Sequence, residues 1–297
     1  MSSLLTYLYY FLAGYLGLTV FFYMLSLVST KAGFVARLLA AYISMIITAL
    51  AGVFISIAFR LFGDASNSQW ATGRVFEYIM ALTTGVRFKI VDPKGHLERT
   101  RPAVFVGNHQ TELDVLMLGI IFPKHTSVTA KSSLKRMPFL GWFMTLSNSI
   151  FIDRKNSKDA REAMRGAADQ IRAQRQNVWM FPEGTRSYAK DPMLLPFKKG
   201  AFHLAVQAQV PIVPVVVANY SHVLWVKGLV FKSGSIPMKV LDPIPTTGLT
   251  PADVDELTRT TRERMLKELI NLTAEVRGQP IPISAETVKA TGVEIRN

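Results

Sequence analysis

The chain has 297 residues, enough for one large domain or two small ones, and contains no cysteine. That absence excludes a disulfide framework, a thiolate nucleophile and a cysteine metal site, and fits a chain facing a reducing cytosol. A hydrophobic share of 49%, a mean hydropathy of +0.23 and a net charge of +13 point to an anionic partner at a membrane. No arginine-rich recognition helix, zinc-finger spacing or aromatic RNA-binding signature supports nucleic acid.

Leu4 to Val28 is uncharged and almost wholly apolar, and Leu38 to Phe59 is a second such run. Each is long enough to cross a hydrocarbon core, which takes about 20 helical residues. The first run lacks the basic start and small-residue cleavage site of a signal peptide. Lys31 and Arg37 fall in the apparent connection, so charge does not orient the pair, and a hairpin dipping into one leaflet gives the same sidedness. Asp64 to Thr72 is polar and reads as a linker. Val75 to Thr84 reads as a helix on the membrane or under the following domain.

Phe88-Lys89-Ile90-Val91 alternates as a strand, and Asp92-Pro93-Lys94-Gly95 reads as a turn. Ala103 to Gly107 then reads as a buried strand, followed by Asn108-His109-Gln110-Thr111-Glu112-Leu113-Asp114 and an apolar helix. In an unbroken helix, His109 and Asp114 would point about 140° apart. If the chain turns after His109 and the helix starts near Thr111, Asp114 lies in its first turn and faces the imidazole. A carboxylate on one ring nitrogen fixes the tautomer and leaves the other nitrogen to accept a proton from a hydroxyl or thiol. A plain structural contact is the other reading of this pair.

Ser127 to Ala130 reads as a strand. Lys131, Lys135 and Arg136 cluster after it, ahead of the apolar Met137 to Met144. This suits either an interfacial surface or a solvated turn leading into a core helix. Ser149-Ile150-Phe151-Ile152 is a strand ending in Asp153-Arg154, and a helix follows from about Lys158 to Gln174. Val178 to Phe181 runs into Pro182-Glu183-Gly184-Thr185-Arg186-Ser187. That loop combines backbone N–H groups, hydroxyls and a guanidinium, which is what a phosphate requires. A helix over Gly200 to Ala208 and a β-branched strand over Val210 to Val217 come next. Two more strands are expected near Val226–Phe231 and Pro237–Leu241. Thr250-Pro251-Ala252-Asp253 starts a helix that runs to about Val276.

Four stretches thus stand in order: Asn108-His109-x4-Asp114, Ile150 to Arg154, Phe181 to Ser187, and Val210-Pro211-Ile212-Val213-Pro214. The set resembles the motifs of the glycerolipid acyltransferases, among them the 1-acylglycerol-3-phosphate acyltransferases, over roughly Arg87 to Leu241. Thr111 stands where the first motif often has Ser, and Ser149 where the second often has Gly.

The resemblance implies an α/β fold, a mixed sheet flanked by helices, behind an N-terminal membrane-embedded helical pair. The organisation expected is two membrane helices in residues 1–63, a linker and interfacial helix in 64–86, a catalytic domain in 87–278 and a tail in 279–297. The implied reaction moves a fatty acyl group from acyl-CoA, as co-substrate and with no further cofactor, to the sn-2 hydroxyl of lysophosphatidic acid. His109 would be the base and Asp114 its orienting partner. Gly184, Thr185 and Arg186 would hold the phosphate with Arg154, Lys131 being a further phosphate or CoA contact. Glu183 would shape that loop or meet the glycerol hydroxyl. His96, His125, His203 and His222 show no metal-ligand spacing. The expected setting is a bilayer, that of the endoplasmic reticulum for a eukaryotic source, with the catalytic domain in the cytosol. Another lysophospholipid or glycerol-3-phosphate as acceptor, hydrolysis in place of transfer, and a non-catalytic membrane-binding role stay open as alternatives.

Overall fold

The computed structural model describes residues 2–152, 166–169 and 171–281. Its first helix, α1, spans Ser2–Leu25, and the second, α2, spans Thr30–Leu61. Both are long and apolar enough to cross a membrane. Their connection is shorter than the charges suggested. Lys31 and Arg37 lie inside α2, which starts behind Ser29, whose side chain accepts from the backbone N–H of Ala32 at 3.4 Å. Arg37 is accommodated because its guanidinium reaches back to the protein, donating to Thr84 O at 3.1 Å and Phe231 O at 3.4 Å. The polar stretch expected as a linker is helical from Ser68, so α3 covers Ser68–Thr84.

Seven strands follow in one mixed sheet: β1 (Val86–Val91), β2 (Val104–Gly107), β3 (Thr126–Lys131), β4 (Ile150–Ile152), β5 (Asn177–Met180), β6 (Ile212–Val217) and, last in the chain, β9 (Gly234–Val240). Their order across the sheet is β1-β9-β6-β2-β5-β3-β4. From β6 to β4 all neighbours are parallel, while β9 is antiparallel to β6 and parallel to β1. The strand expected near Val226–Phe231 is mostly a turn. Only Leu224–Trp225 (β7) and Val230–Phe231 (β8) pair, on either side of a short 3-10 turn at Val226–Gly228.

Helices between the strands include α4 (His96–Arg99), α5 (Asp114–Ile121), α6 (Leu140–Leu146) and α7 (Gly200–Ala208), and α8 (Val254–Arg277) lies near the end of the described chain. A capping box at Thr250 and Asp253 leads into α8, as its sequence predicts. Part of the helix expected from Lys158 to Gln174 lies outside the described residues, as do Arg154 and most of the tail; residues 166–169 and 171–174 are helical.

The centre of the sheet is covered on both sides, which is why β2, β5 and β6 are largely apolar and buried along their length. Side chains alternate between two cores. Val104, Val106, Val178 and Ile212 face the layer of α7 and α8. Phe105, Trp179, Val213 and Val215 face α3, α5 and the start of α2. Each such burial contributes about 1.5–3 kcal/mol. The helices α3 and α5 cross backbone to backbone, since a Cβ on Gly73 would lie 2.7 Å from Gly119 O. That contact fixes the height of α5, and α5 begins with Asp114.

α2 belongs to both environments. Ala36, Ala40, Ser44, Thr48, Gly52 and Ser56 form its buried stripe, whereas Phe54 and Leu61 are exposed. α1 carries hardly any burial, and its apolar side chains face outward.

Candidate active site

The parallel strands β2, β5 and β6 end at the same edge of the sheet, the usual place for a site in such folds. His109 leaves β2, Glu183 to Arg186 leave β5, and Tyr220 leaves β6. The backbone turns at Gln110 to Leu113 before α5 begins, so Asp114 sits in the first helical turn and faces His109, as the spacing required. His109 Nδ1 donates to Asp114 Oδ2 at 2.7 Å. Nε2 has no hydrogen-bond partner among the described residues, and the side chain is 18% exposed, enough for a small group to reach it. The imidazole stacks on Phe181, with centroids 4.1 Å apart.

Asp114 is fully buried and its carboxylate is satisfied from every side. Besides His109, Oδ2 accepts the backbone N–H groups of Gln110 at 2.5 Å and Thr111 at 3.1 Å, and Oδ1 accepts the hydroxyl of Tyr220 at 2.7 Å. Tyr220 is buried as well and in turn accepts the Thr111 N–H at 3.1 Å. Burial, and then the Asp114 carboxylate, push the Tyr220 phenol well up, so it keeps its proton as a donor. Tyr220 lies 106 residues beyond Asp114 and was not singled out from sequence. Nothing in its local pattern marks it except its place just past a buried strand.

Asn108 straps the β2 end to β6. Its side chain accepts from the Val217 N–H at 2.8 Å and donates to Val217 O at 3.0 Å. The β5 loop is bonded to the same turn, with the Ser187 N–H on His109 O and the Tyr188 N–H on Gln110 O, both at 3.0 Å. Glu183 points inward: Oε1 accepts the His109 N–H at 2.7 Å and Oε2 the Leu195 N–H at 2.9 Å. Both oxygens are thus engaged with backbone. Burial pushes its pKa up to about 7, against the lowering effect of those two bonds.

Gly184 adopts φ +70°, a conformation open to glycine at little cost. A Cβ there would sit 3.0 Å from the end of the Lys198 side chain, so that ammonium rests over the loop. Lys198 is a basic residue that sequence motifs do not flag. Thr185 is exposed at the tip. Arg186 Nη1 donates to Glu112 Oε1 at 3.1 Å, and Tyr188 donates to the same oxygen at 2.5 Å. The buried Arg186 Nε has no partner among the described residues. Glu112 and Tyr188 also line an apolar cleft of about 290 Å³ between α2, α3 and α5, walled by Phe34, Leu38, Met45, Met80 and Leu116. Lys131 ends β3 at this edge and is exposed, with no hydrogen bond to the His109 network among the described residues. The edge therefore combines a polarised imidazole, a cationic loop and an apolar cleft, the parts needed to activate a hydroxyl on an anionic molecule with a long chain.

A family model for acyltransferases matches residues 90–218. An uncharacterized acyltransferase of Schizosaccharomyces pombe is 42% identical over 236 residues, covering 80% of this chain and 84% of that one. The 1-acyl-sn-glycerol-3-phosphate acyltransferase of Saccharomyces cerevisiae is 42% identical over 218 residues, 73% of this chain and 71% of its own length. The human beta form is 41% identical over 199 residues, 67% of this chain and 69% of its own. The crystal structure of the 1-acyl-sn-glycerophosphate acyltransferase from Thermotoga maritima has the same fold, with a TM-score of 0.61 over 87% of this chain and 96% of that chain at 22% identity. These likenesses agree with the resemblance carried by the four motifs.

Proposed function

The chain belongs to the glycerolipid acyltransferase family, and from that premise we propose that it moves a fatty acyl group from acyl-CoA to the sn-2 hydroxyl of lysophosphatidic acid, forming phosphatidic acid. The observation that carries this reading is the His109–Asp114 pair, with Nδ1 committed to a buried carboxylate and Nε2 left for substrate. An alcohol is a poor nucleophile at neutral pH and needs a base within hydrogen-bond reach. His109 Nε2 takes the proton of the sn-2 hydroxyl as its oxygen attacks the thioester carbonyl carbon. Asp114 stabilises the imidazolium. The tetrahedral intermediate then collapses with cleavage of the C–S bond, and the imidazolium returns its proton to the departing CoA sulfur. A cysteine acyl-enzyme is not available to this chain, which favours direct transfer.

The acceptor's phosphate sits against Gly184, Thr185 and Arg186, replacing Glu112 on the guanidinium and meeting the free Nε. Lys131 and Lys198 add positive charge from the surrounding edge, and Arg154 contributes to holding the phosphate as the motif resemblance implies. Glu183 acts on His109 through the backbone and holds the loop, a positioning role. The neighbouring cleft takes an acyl chain. α1 and the outer face of α2 enter the bilayer, so the chains of both substrates stay in lipid while their polar ends reach His109. In a eukaryotic cell this corresponds to the endoplasmic-reticulum membrane, with the catalytic domain toward the cytosol.

The test is acyl transfer from oleoyl-CoA to lysophosphatidic acid in detergent, with lysophosphatidylcholine, lysophosphatidylinositol and glycerol-3-phosphate as competing acceptors. Phosphatidic acid should form, and His109→Ala should lower the rate by about 10²–10⁴-fold while melting like wild type. Preference for another acceptor reassigns the substrate. Release of free fatty acid without transfer, or an active His109→Ala protein, overturns the mechanism.

A further inference from the structure

The two N-terminal helices do not account for all the outward apolar surface. From the end of β3 the chain makes a 3-10 turn over Ser132–Arg136 and enters α6. This arm leans on α2. A Cβ on Gly52 would lie 2.7 Å from the Phe143 ring, and Arg60, near the end of α2, donates to Leu146 O at 2.6 Å and to Asn148 Oδ1 at 2.7 Å. The arm therefore flanks the half of α2 whose outer face shows Phe54 and Leu61, 69% and 81% exposed. It adds to that surface, with Met137 45% and Trp142 55% exposed.

The shape of the arm is costly. Phe139 holds φ +60°, a region non-glycine residues seldom occupy, and its ring meets Trp142 edge-on at 5.3 Å. Such strain persists where the surrounding fold imposes it, and it collects at functional surfaces. Lys131, Lys135 and Arg136 are all exposed along this arm, the Lys135 ammonium lying 5.9 Å over the Phe151 ring, and none has a carboxylate in salt-bridge range among the described residues. Indole rings favour the head-group level of a bilayer, and clustered cations favour anionic lipid there.

We propose that the Lys131–Leu146 arm is a second membrane contact, separate from the helical pair, in which Trp142 and Met137 enter the head-group layer and Lys135 and Arg136 bind anionic lipid phosphates. The proposal rests on the reading that α1 and α2 enter a bilayer, with which the arm is continuous. β3 neighbours β5 in the sheet, so the contact holds anionic lipid beside the edge that carries Arg186.

A chain without cysteine allows a direct test on the full-length protein. Single variants Met137→Cys and Trp142→Cys are spin-labelled and reconstituted in phosphatidylcholine vesicles, with or without an equal part of phosphatidylglycerol. Collision with oxygen is compared with collision with a water-soluble nickel chelate. Phe11→Cys on α1 is the reference in lipid. Ala252→Cys, ahead of α8 in the layer on the other side of the sheet, is the reference in water. The oxygen-to-nickel ratio at 137 and 142 should be several-fold above that at 252. It should rise further with phosphatidylglycerol, and Lys135→Ser with Arg136→Ser should abolish the rise. Labels at 137 and 142 as open to nickel as the one at 252 overturn the contact if the label at 11 is in lipid; a label at 11 in water defeats the bilayer reading instead. Shielding from both reagents assigns the surface to a second protein copy and overturns the proposal. Insertion indifferent to phosphatidylglycerol overturns the anionic-lipid assignment.

Discussion

Asp114 accepts four hydrogen bonds in a fully buried pocket, whereas Arg186, on the same sheet edge, is a third exposed and held by the half-exposed Glu112. The first group is complete before any substrate arrives, and its donors come from the β2 turn and from Tyr220 beyond β6. The second keeps an unused guanidinium N–H and a carboxylate partner that solvent already touches. In the proposed mechanism the contrast separates two tasks. Proton transfer needs a fixed dipole at the moment of reaction, so its geometry is built into the fold. Anion recognition needs a group that can exchange partners, and a solvent-screened ion pair exchanges at little cost.

Substitutions in the two regions should therefore act on different kinetic constants. Asp114→Asn keeps an acceptor for His109 and lets Tyr220 reverse its bond, but removes the charge that stabilises the imidazolium; kcat should fall by about 10²–10⁴-fold with KM nearly unchanged. If KM changes and kcat does not, the separation of tasks is wrong. Arg186→Ala should do the opposite. Losing charged hydrogen bonds worth about 2–3 kcal/mol should raise KM for a phosphate-bearing acceptor by roughly 10–100-fold, with stability unaffected. Tyr220→Phe lies in the rigid region and should lower kcat by about tenfold, at a cost of about 1–3 kcal/mol in stability from the buried Asp114 Oδ1 that loses its donor, read by steady-state kinetics and denaturant melts.

The smallest change in activity is expected at Glu183, where the readout is pH. Its folded value of about 7 stands above the ordinary carboxylate value of 4.5, so between those two the folded chain keeps a proton that the unfolded chain has lost. Its contribution to stability is full below 4.5 and is lost as pH rises through about 7, a difference of about 3 kcal/mol at most. Glu183→Gln should flatten that dependence in melts on either side of the window; an unchanged slope would assign the titration elsewhere.

The pairing of His109 with Asp114 was legible because a strand end, a turn and a helix start are local events, each marked within a few residues. The family was legible because four such local marks stand in order. Tyr220 was not legible, since its role comes from β6 lying beside β2, a contact between distant parts of the chain. The inward turn of Glu183 was not legible, because its second partner, the Leu195 N–H, comes from beyond the loop. Arg37 misled the placement of α2 because charge in an apolar run reads as a break, while here Thr84 and Phe231 carbonyls accept it. The strand expected near Val226 is mostly a turn because the chain folds back over Val226–Gly228, with Leu229 at φ +49°, so that Val230–Phe231 pairs with the preceding Leu224–Trp225.

The two faces of α2 place it under two different rules of substitution. On the inner face, size decides: a methyl at Gly52 meets Phe143 and Thr72, and Ala36, Ser44 and Ser56 have no accessible surface left to grow into. Polar groups do occur there: Ser44 finds Ala40 O and Thr83, whereas the Thr48 and Ser56 hydroxyls have no partner among the described residues. On the outer face, at Phe54 or Leu61, bulk is free, and with the proposed bilayer against it polarity is what fails. A hydrophobicity scale alone therefore misjudges half of this helix, and a volume scale alone misjudges the other half. Sequences that keep the same fold are expected to drift along α2 in two separate alphabets, small on one side and greasy on the other.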